Sequence, residues 1–551
     1  MNSQLACFPY GVGHGSEGVC LLVHMGHHRI LLDCGLENIA ALAQAEEPPM
    51  DVILCSHAHS DHAKGLRQLH QVFPQIPIYA SEVTTQLLPL NWLNSEEYPG
   101  ITENFCTALP WRSPIEILSG LVIELFPAGH LPGAALIALT YNPPEPEQSL
   151  QLADLSQSLR PYTLFYTGDF FLSHTRLGSG LDLQAVRGLQ PDALIIEGSC
   201  GTARYPHRRQ QENRLIEQIS RSLLQGKSIL LPMPILGVGQ EILMLLRSHH
   251  QFTGRRVDIW VDRFVAAGCD AYLEILPHLP VSVQNFARHQ PLFWDDRVLP
   301  RVRRLTPPRQ GSVTTDFSHN ADPCILLVDY RSDWSIYYAE NPEAWVLFVP
   351  EADPTEEFPP ELEVVNYLLA QHSDQQGTTQ LIHNLRPQHI VFVHGSPNNL
   401  IDLACLEELQ SRYQLHCPKA GTFVELPVGE AFVQDNALPI QPNYEGELNE
   451  LGTLVTITLP EAIAADPRWQ KFAETGLIEA RWQGEELVLK GLSPRELMQQ
   501  NPSRTLASIP CCSNCLYERN QRCTNPQSPL HRFKVPPDGY CPVFAFNTDS
   551  V

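Results

Sequence analysis

The run His57-Ala58-His59-Ser60-Asp61-His62 follows the apolar stretch Val52–Cys55. Four side chains able to ligate a metal lie within six positions. Successive side chains of a strand point to opposite faces, so a strand cannot aim all four one way. A loop can wrap them around two metal centres. Imidazole and carboxylate donors at this spacing suit zinc, which accepts nitrogen and oxygen ligands and keeps an open position when catalytic. The chain holds 22 His, so isolated pairs mean little. A full His-x-His-x-Asp-His after an apolar strand is a far more specific signal.

The first 200 residues repeat one unit, a short Val/Ile/Leu-rich strand and then a polar loop. GVCLLVHM (18–25), HRILLDCG (28–35), LVIELFPAGH (121–130) and TLFYTGDF (163–170) are examples. Three of these loops carry further donors: Asp33, His130 and Asp169. Each alone reads as a loop residue or helix cap. In this order they supply the ligands a two-metal site still needs. From about 205 the pattern turns helical. Leu215, Ile216, Ile219, Leu223 and Leu224 are expected on one helix face, with Gly226 as the stop and SILLPMP (228–234) as a buried strand. A helix near 376–385 and the strand HIVFVHG (389–395) restore the first pattern.

Asp33, the HAHSDH of 57–62, His130 and Asp169 resemble the ordered motifs of the metallo-β-lactamase fold. The resemblance implies an α/β chain folded as an αββα four-layer sandwich with a two-zinc site at one edge. It implies that His57, His59 and His130 hold one zinc, Asp61 and His62 the other, and that Asp169 bridges them. Asp33 would stand behind the ligands and orient histidines.

Residues 195–241 narrow the branch. They resemble the β-CASP nucleases, in which an acidic residue opens a small-residue loop and a later strand runs into a Gly-x-x-Gln-Glu turn. Glu197 matches the acidic position, and Gly237, Gln240 and Glu241 match the turn. QHSDQQGTTQLI (371–382) resembles the family's His-x-Asp motif, with His372 as its His, and IVFVHGS (390–396) the last motif, with His394. A histidine there is typical of RNA-directed members and would complete the second zinc's ligands. The family pattern makes Glu197 and His372 a proton-delivering pair and places Asp61, Glu197 and His372 in the catalytic machinery. Three positions depart from it: Gly198-Ser199-Cys200 replaces Ser-Thr-Tyr, Val238 replaces a common Arg, and Ser396 replaces a frequent Glu. The expected substrate is single-stranded RNA. A DNA-directed β-CASP nuclease and a hydrolase of small esters or thioesters are the alternatives, and a silent RNA-processing scaffold disagrees with the intact ligand set.

The expected organisation is a metallo-β-lactamase domain over 1–200 and 371–430, an inserted α/β domain over 201–370, a small α+β appendage over 431–504 and a Cys-rich module over 505–551. In the last, Cys512, Cys515, Cys523 and Cys541 have the spacing of a structural zinc site, with an iron–sulfur cluster as the other Cys₄ reading. The other ten cysteines are scattered singles, expected to be buried and reduced in a cytoplasmic protein. No stretch nears 18 consecutive apolar residues, so no membrane span is expected. A homodimer is left open.

The 551 residues carry 37 Lys and Arg against 61 Asp and Glu, a net charge of −24. Such a chain repels phosphate backbones in general. Residues 200–310 are the exception, with 16 basic residues against 9 acidic ones. That basic stretch is expected either to funnel a strand to the zinc edge, with steep salt dependence, or to disperse its arginines over solvated helix faces.

Overall fold

Neighbouring residues of the first strands face two different cores. In the computed structural model, Val19, Leu21, Val23 and Met25 pack in one cluster, and Cys20 and Leu22 in another. This period-two split means that both faces of the sheet are covered. The structure describes residues 5–44, 47–93, 105–144, 160–295, 297–305, 322–351 and 358–428, and, further on, 447–451, 454–458, 478–483, 486–491, 515–519, 522–526 and 545.

The first sheet contains β1 (Leu5–Val12), β2 (Val19–Met25), β3 (His28–Leu32), β4 (Val52–Leu54), β5 (Ile78–Ser81) and β6 (Cys106–Leu109) in that order. The second contains β7 (Ile115–Leu118), β8 (Leu121–Pro127), β9 (Ala135–Tyr141), β10 (Tyr162–Tyr166) and β11 (Ala193–Glu197). Leu21, Val23, Ile30 and Leu32 of one sheet meet Ile123, Leu139, Leu164 and Ile195 of the other in a shared core. Their opposite faces are covered by helices, through Leu66, Leu69 and Leu87 on one side and Leu381, Ile382 and Leu403 on the other. The result is an αββα four-layer sandwich. Each fully buried aliphatic side chain in these layers contributes about 1.5–3 kcal/mol.

A third sheet lies entirely between β11 and the strand that pairs beside it. Its strands are β12 (Ser228–Met233), β13 (Asp258–Val261), β14 (Arg301–Arg304), β15 (Ile325–Asp329), β16 (Trp345–Pro350) and β17 (Glu363–Tyr367), in the order β14-β13-β15-β12-β16-β17. All its pairings are parallel. The chain then returns through β18 (His389–Val393), which pairs in parallel with β11 and sets Glu197 opposite Val393. Excursion and return therefore place Glu197 and His394 side by side. β19 (Gln414–His416) and β20 (Val424–Glu425) close the two sandwich sheets at their edges.

Two sequence expectations change. In the helix Arg208–Leu224, Leu215, Ile216, Ile219 and Leu223 are buried, but Leu224 is 78 % exposed. Nine residues after Leu215 is half a revolution away at about 100° per residue, so Leu224 belongs to the opposite face. Gly226 follows with φ +79°, the left-handed conformation that ends helices. Among the scattered cysteines, Cys405 and Cys417 are exposed and Cys200 is half-buried, while the other seven are buried.

The remainder, Pro439–Val551, forms a separate unit. Its described residues include the antiparallel pairs Glu447–Leu451 with Leu454–Thr458, and Ile478–Gln483 with Glu486–Gly491. A third pair joins Glu518–Arg519 to Arg522–Cys523. The helix expected around WQKFAE and the cysteines Cys511, Cys512 and Cys541 lie outside the described residues.

Candidate metal centre

The loop after β4 and the one-turn helix Ser60–Ala63 carry His57, His59, Asp61 and His62. The helical turn is what lets Asp61 and His62 diverge from His57 and His59. Gly35 fixes this loop against the end of β3: a Cβ there would stand 1.6 Å from the Asp61 carbonyl oxygen. That close approach explains the glycine of LLDCG.

Asp33 is buried with φ +58°. Its carboxylate accepts from the Ser56 amide at 2.6 Å, the Ser56 hydroxyl at 2.7 Å, His62 Nδ1 at 2.7 Å and the Tyr166 hydroxyl at 2.6 Å. Four donors require an ionised acceptor and repay a strained backbone. They also assign protons. His62 donates from Nδ1, which leaves Nε2 bare. Ser56 gives its proton to Asp33 and so accepts from His57 Nδ1 at 3.0 Å, which leaves His57 Nε2 bare. His130 donates from Nδ1 to the Gln371 carbonyl at 2.8 Å, which leaves its Nε2 bare.

The bare nitrogens converge. His57, His59, His130 and Asp169 place one ligand atom each within 4.8 Å of one another, as do Asp61, His62 and His394. His59 Nδ1 and His130 Nε2 stand 3.0 Å apart, and His57 Nε2, His62 Nε2 and Asp169 Oδ1 are buried without a hydrogen-bond partner among the described residues. Asp169 faces both groups, with His57 Nε2 at 3.5 Å and His62 Nε2 at 3.2 Å. Buried acceptors facing one another in this way are costly unless a cation sits among them. Nitrogen and oxygen donors in this arrangement fit zinc. Burial drives His130 down to about 3, toward the neutral form that has a lone pair to give.

A second pair lies beside this cluster. Glu197, at the end of β11, accepts from the Phe170 amide at 2.9 Å and from His372 Nδ1 at 3.0 Å. The His372 ring centroid is 4.7 Å from that of His130 and 5.8 Å from that of His394. Burial alone would raise the Glu197 pKa, but the charge and hydrogen bond of His372 hold it to about 2. Reciprocally, burial disfavours protonated His372, yet the charges of Glu197 and Asp169 raise its pKa. Burial likewise opposes protonation of His394, yet Asp169 and the hydrogen bond to Asp61 push it up to about 10. A metal cation among the same carboxylates reverses that field.

All eight core positions expected from the sequence, with Glu197 and His372, thus gather at one sheet edge. Gln240 and Glu241 do not. Gln240 donates to the Ile235 carbonyl inside the inserted domain, and Glu241 accepts from the amides of Arg176 and Leu177, both at 2.9 Å. Glu241 thus clamps the insert to the loop after Asp169, while Gln240 braces the insert from within. Gly237, with φ +95°, passes over His59, where a Cβ would be 3.4 Å from its Nε2. Ser56, Tyr166 and the Gln371 carbonyl, which hydrogen-bond Asp33, His57 and His130, are partners of the cluster that motif spacing did not flag.

Two family models match the chain, the beta-lactamase superfamily domain over residues 28–179 and the Zn-dependent metallo-hydrolase RNA specificity domain over 361–415. An uncharacterized protein of Synechocystis sp., sll0514, is 50 % identical over 98 % of this chain and 97 % of its own length. This chain belongs to the metallo-β-lactamase β-CASP RNA nuclease family. Other β-CASP relatives are more distant. An RNase J-like protein of Methanocaldococcus jannaschii is 24 % identical over 56 % of this chain and 67 % of its own. Cleavage and polyadenylation specificity factor 73 of Drosophila melanogaster is 22 % identical over 74 % and 62 %. Among the described residues, no helix is long and apolar enough to cross a membrane.

Proposed function

We propose that this β-CASP protein is a two-zinc hydrolase that cuts phosphodiester bonds of single-stranded RNA. The observation that carries the reading is the Glu197–His372 pair set against the ligand cluster, 3.0 Å from carboxylate to Nδ1. His57, His59 and His130 would hold one zinc, Asp61, His62 and His394 the other, with Asp169 between them. Zinc held there would supply water activation at neutral pH and charge stabilisation for the phosphodiester.

The protein's own groups do the rest. Glu197 fixes the His372 ring through Nδ1, and its charge favours the protonated form. His372 then delivers the Nε2 proton to the departing ribose oxygen, which leaves poorly as an alkoxide. Asp61, its side chain 45 % exposed against 2 % for Asp169, marks the open side from which a strand enters. A small-ester hydrolase has no need of the inserted domain or of this acid. The names of the relatives, RNase J-like protein and cleavage and polyadenylation specificity factor, support RNA over DNA.

The test is cleavage of 5′-labelled and 3′-labelled RNA, with matched DNA, by wild type, Asp61→Ala and His372→Ala, with and without chelator. Chelator and Asp61→Ala should abolish cleavage. His372→Ala should lower kcat by about 10²–10⁴-fold, the usual worth of a positioned acid. Unchanged cleavage by Asp61→Ala overturns the reading.

The domain limits follow the sequence reading, with the insert over 201–370 supported by a sheet drawn wholly from 228–367. The C-terminal cysteines Cys512, Cys515, Cys523 and Cys541 are assigned to a further zinc or an iron–sulfur cluster. Cys523 pairs with Glu518 in a short antiparallel ladder, and the Glu518 amide donates to the Cys515 carbonyl at 3.1 Å. Elemental analysis of anaerobically purified protein distinguishes zinc from iron. A cytoplasmic site of action fits the dispersed free cysteines.

A further inference from the structure

Ser199 and Ser396 stand where the chain departs from its family, and the structure joins them in one device. Ser396 is the N-cap of the helix Pro397–Ala404 and accepts from the Asn399 amide at 3.2 Å. Asn399 in turn donates from its side chain to the Ser199 carbonyl at 2.8 Å. Gly198 and Gly395 are pressed together, so that a Cβ on Gly395 would stand 2.8 Å from the Gly198 carbonyl oxygen. The Ser199 hydroxyl is thereby held between two groups of the site. It donates to Glu197 Oε2 at 2.5 Å and lies 2.9 Å from His394 Nδ1.

A hydroxyl has one proton. Glu197, already taking the Phe170 amide and His372, is an acceptor only. The Ser199 proton goes to Glu197, a nearer acceptor than the His394 carbonyl at 3.3 Å, and the Ser199 oxygen accepts from His394 Nδ1–H, which also faces Asp169 Oδ1 at 3.3 Å. With a metal bound, His394 Nε2, which faces Asp61 Oδ2 at 3.1 Å, would be the nitrogen without a proton. The molecule contains the same arrangement at its other end. There Ser56 gives its proton to Asp33 and accepts from His57 Nδ1. Each half of the ligand cluster thus has a carboxylate, a serine and a histidine in series.

We propose that Ser199 is a positioning residue that fixes the tautomer of His394 and the orientation of Glu197 at once, coupling the second metal's ligand to the proton-delivering pair. The proposal rests on the two-zinc reading above. It predicts that one hydroxyl governs both metal retention and the pH dependence of the acid. Gly198, Ser199 and Ser396 are then internal scaffolding of the metal site.

The test compares Ser199→Ala and Ser199→Thr with wild type by three measurements. These are metal per chain after dialysis against a competing chelator, kcat and KM on RNA, and the pH profile of kcat. Ser199→Ala should retain close to one zinc fewer at the active site. It should lower kcat about tenfold with KM within about twofold, and move the alkaline limb of the profile. Ser199→Thr, which keeps the hydroxyl, should restore all three. The same zinc retention and pH profile in Ser199→Ala and wild type overturn the proposal, as does equal loss in the alanine and threonine variants. Should wild type fail to cut RNA, the nuclease reading fails while zinc retention still decides the role of Ser199. Should Ser199→Ala not fold, comparing Ser199→Thr with Ser199→Cys, whose thiol is a weak donor, decides it.

Discussion

His372 donates to a carboxylate that accepts from nothing but protons, and this sets the direction of one pH effect. The negative charge of Glu197 raises the His372 pKa against the burial that lowers it. Glu197→Gln removes the charge and leaves the burial. The pKa of His372 must then fall, and the protonated acid is lost at a lower pH as the solution is made alkaline. The alkaline limb of the kcat profile should therefore move to lower pH, with the smallest loss of rate on the acidic side. A limb that stays in place would separate Glu197 from proton delivery. At this scale the sequence was most informative for residues whose spacing is dictated by the chemistry. The four donors of 57–62, three His and one Asp, stand at a spacing that metal chemistry favours, so they could be read without a structure. Ser56, Tyr166 and Ser199 could not. A hydroxyl has no characteristic spacing, and its role comes from which carboxylate and which ring nitrogen the fold places on either side of it.

At the scale of elements, the inserted domain does more than roof the site. The segment Ala370–Gln371 just before His372 is held by the helix Arg208–Leu224. Gln211 accepts from the Ala370 amide at 2.8 Å, and Arg208 donates to its carbonyl. The next carbonyl, of Gln371, is the one that orients His130. On the other side, Glu241 holds the amides of Arg176 and Leu177, a few residues after Asp169. The insert therefore registers both His130, a proposed ligand, and His372, the proposed acid. Glu241→Ala leaves the buried Leu177 amide without its acceptor, which costs about 1–3 kcal/mol. Urea unfolding should show a loss of at least that size, and kcat should fall because the loop carrying Asp169 is released. A variant with full kcat would confine Glu241 to stability. The sequence made strands and helices legible through their periodicity, including both flanks of the insert. It misplaced Leu224 because a cluster of apolar residues near a helix end does not reveal which of them lies past the half-turn. It could match Glu241 to a motif but not say that the motif is a clamp, since its partners are backbone amides 64 and 65 residues away.

At the scale of the whole molecule, the charge split between the insert and the remainder takes on a different meaning once the pairing is known. Arg208 is buried beside Glu212 and Glu241. Lys227 pairs with Glu363, Arg301 and Arg303 with Asp258, and Arg304 with Asp270 while stacked 4.2 Å over Trp294. Arg247 is buried and donates to the Phe293 carbonyl. These cationic groups hold the insert together and have few counterions left to release. Exposed arginines remain, but Arg214 and Arg221 lie on the outer face of one helix and Arg288 on another. Spread over different helices in this way, they lead us to expect the dispersed arrangement over a single funnel. If all seven excess charges met phosphates, raising salt from 50 to 200 mM would weaken RNA binding about a thousandfold, from the single-strand slope of about 0.7 per contact. With pairing and dispersion, roughly two contacts are expected, and the loss should be no more than about tenfold over that range. The large negative remainder acts in the same direction, since added salt also screens its repulsion of RNA within a Debye length of about 10 Å. Affinity for a short RNA, measured with a cleavage-blocked Asp61→Ala protein across that salt range, checks this. A thousandfold loss would restore the funnel and require the paired arginines to exchange their carboxylates for phosphates on binding.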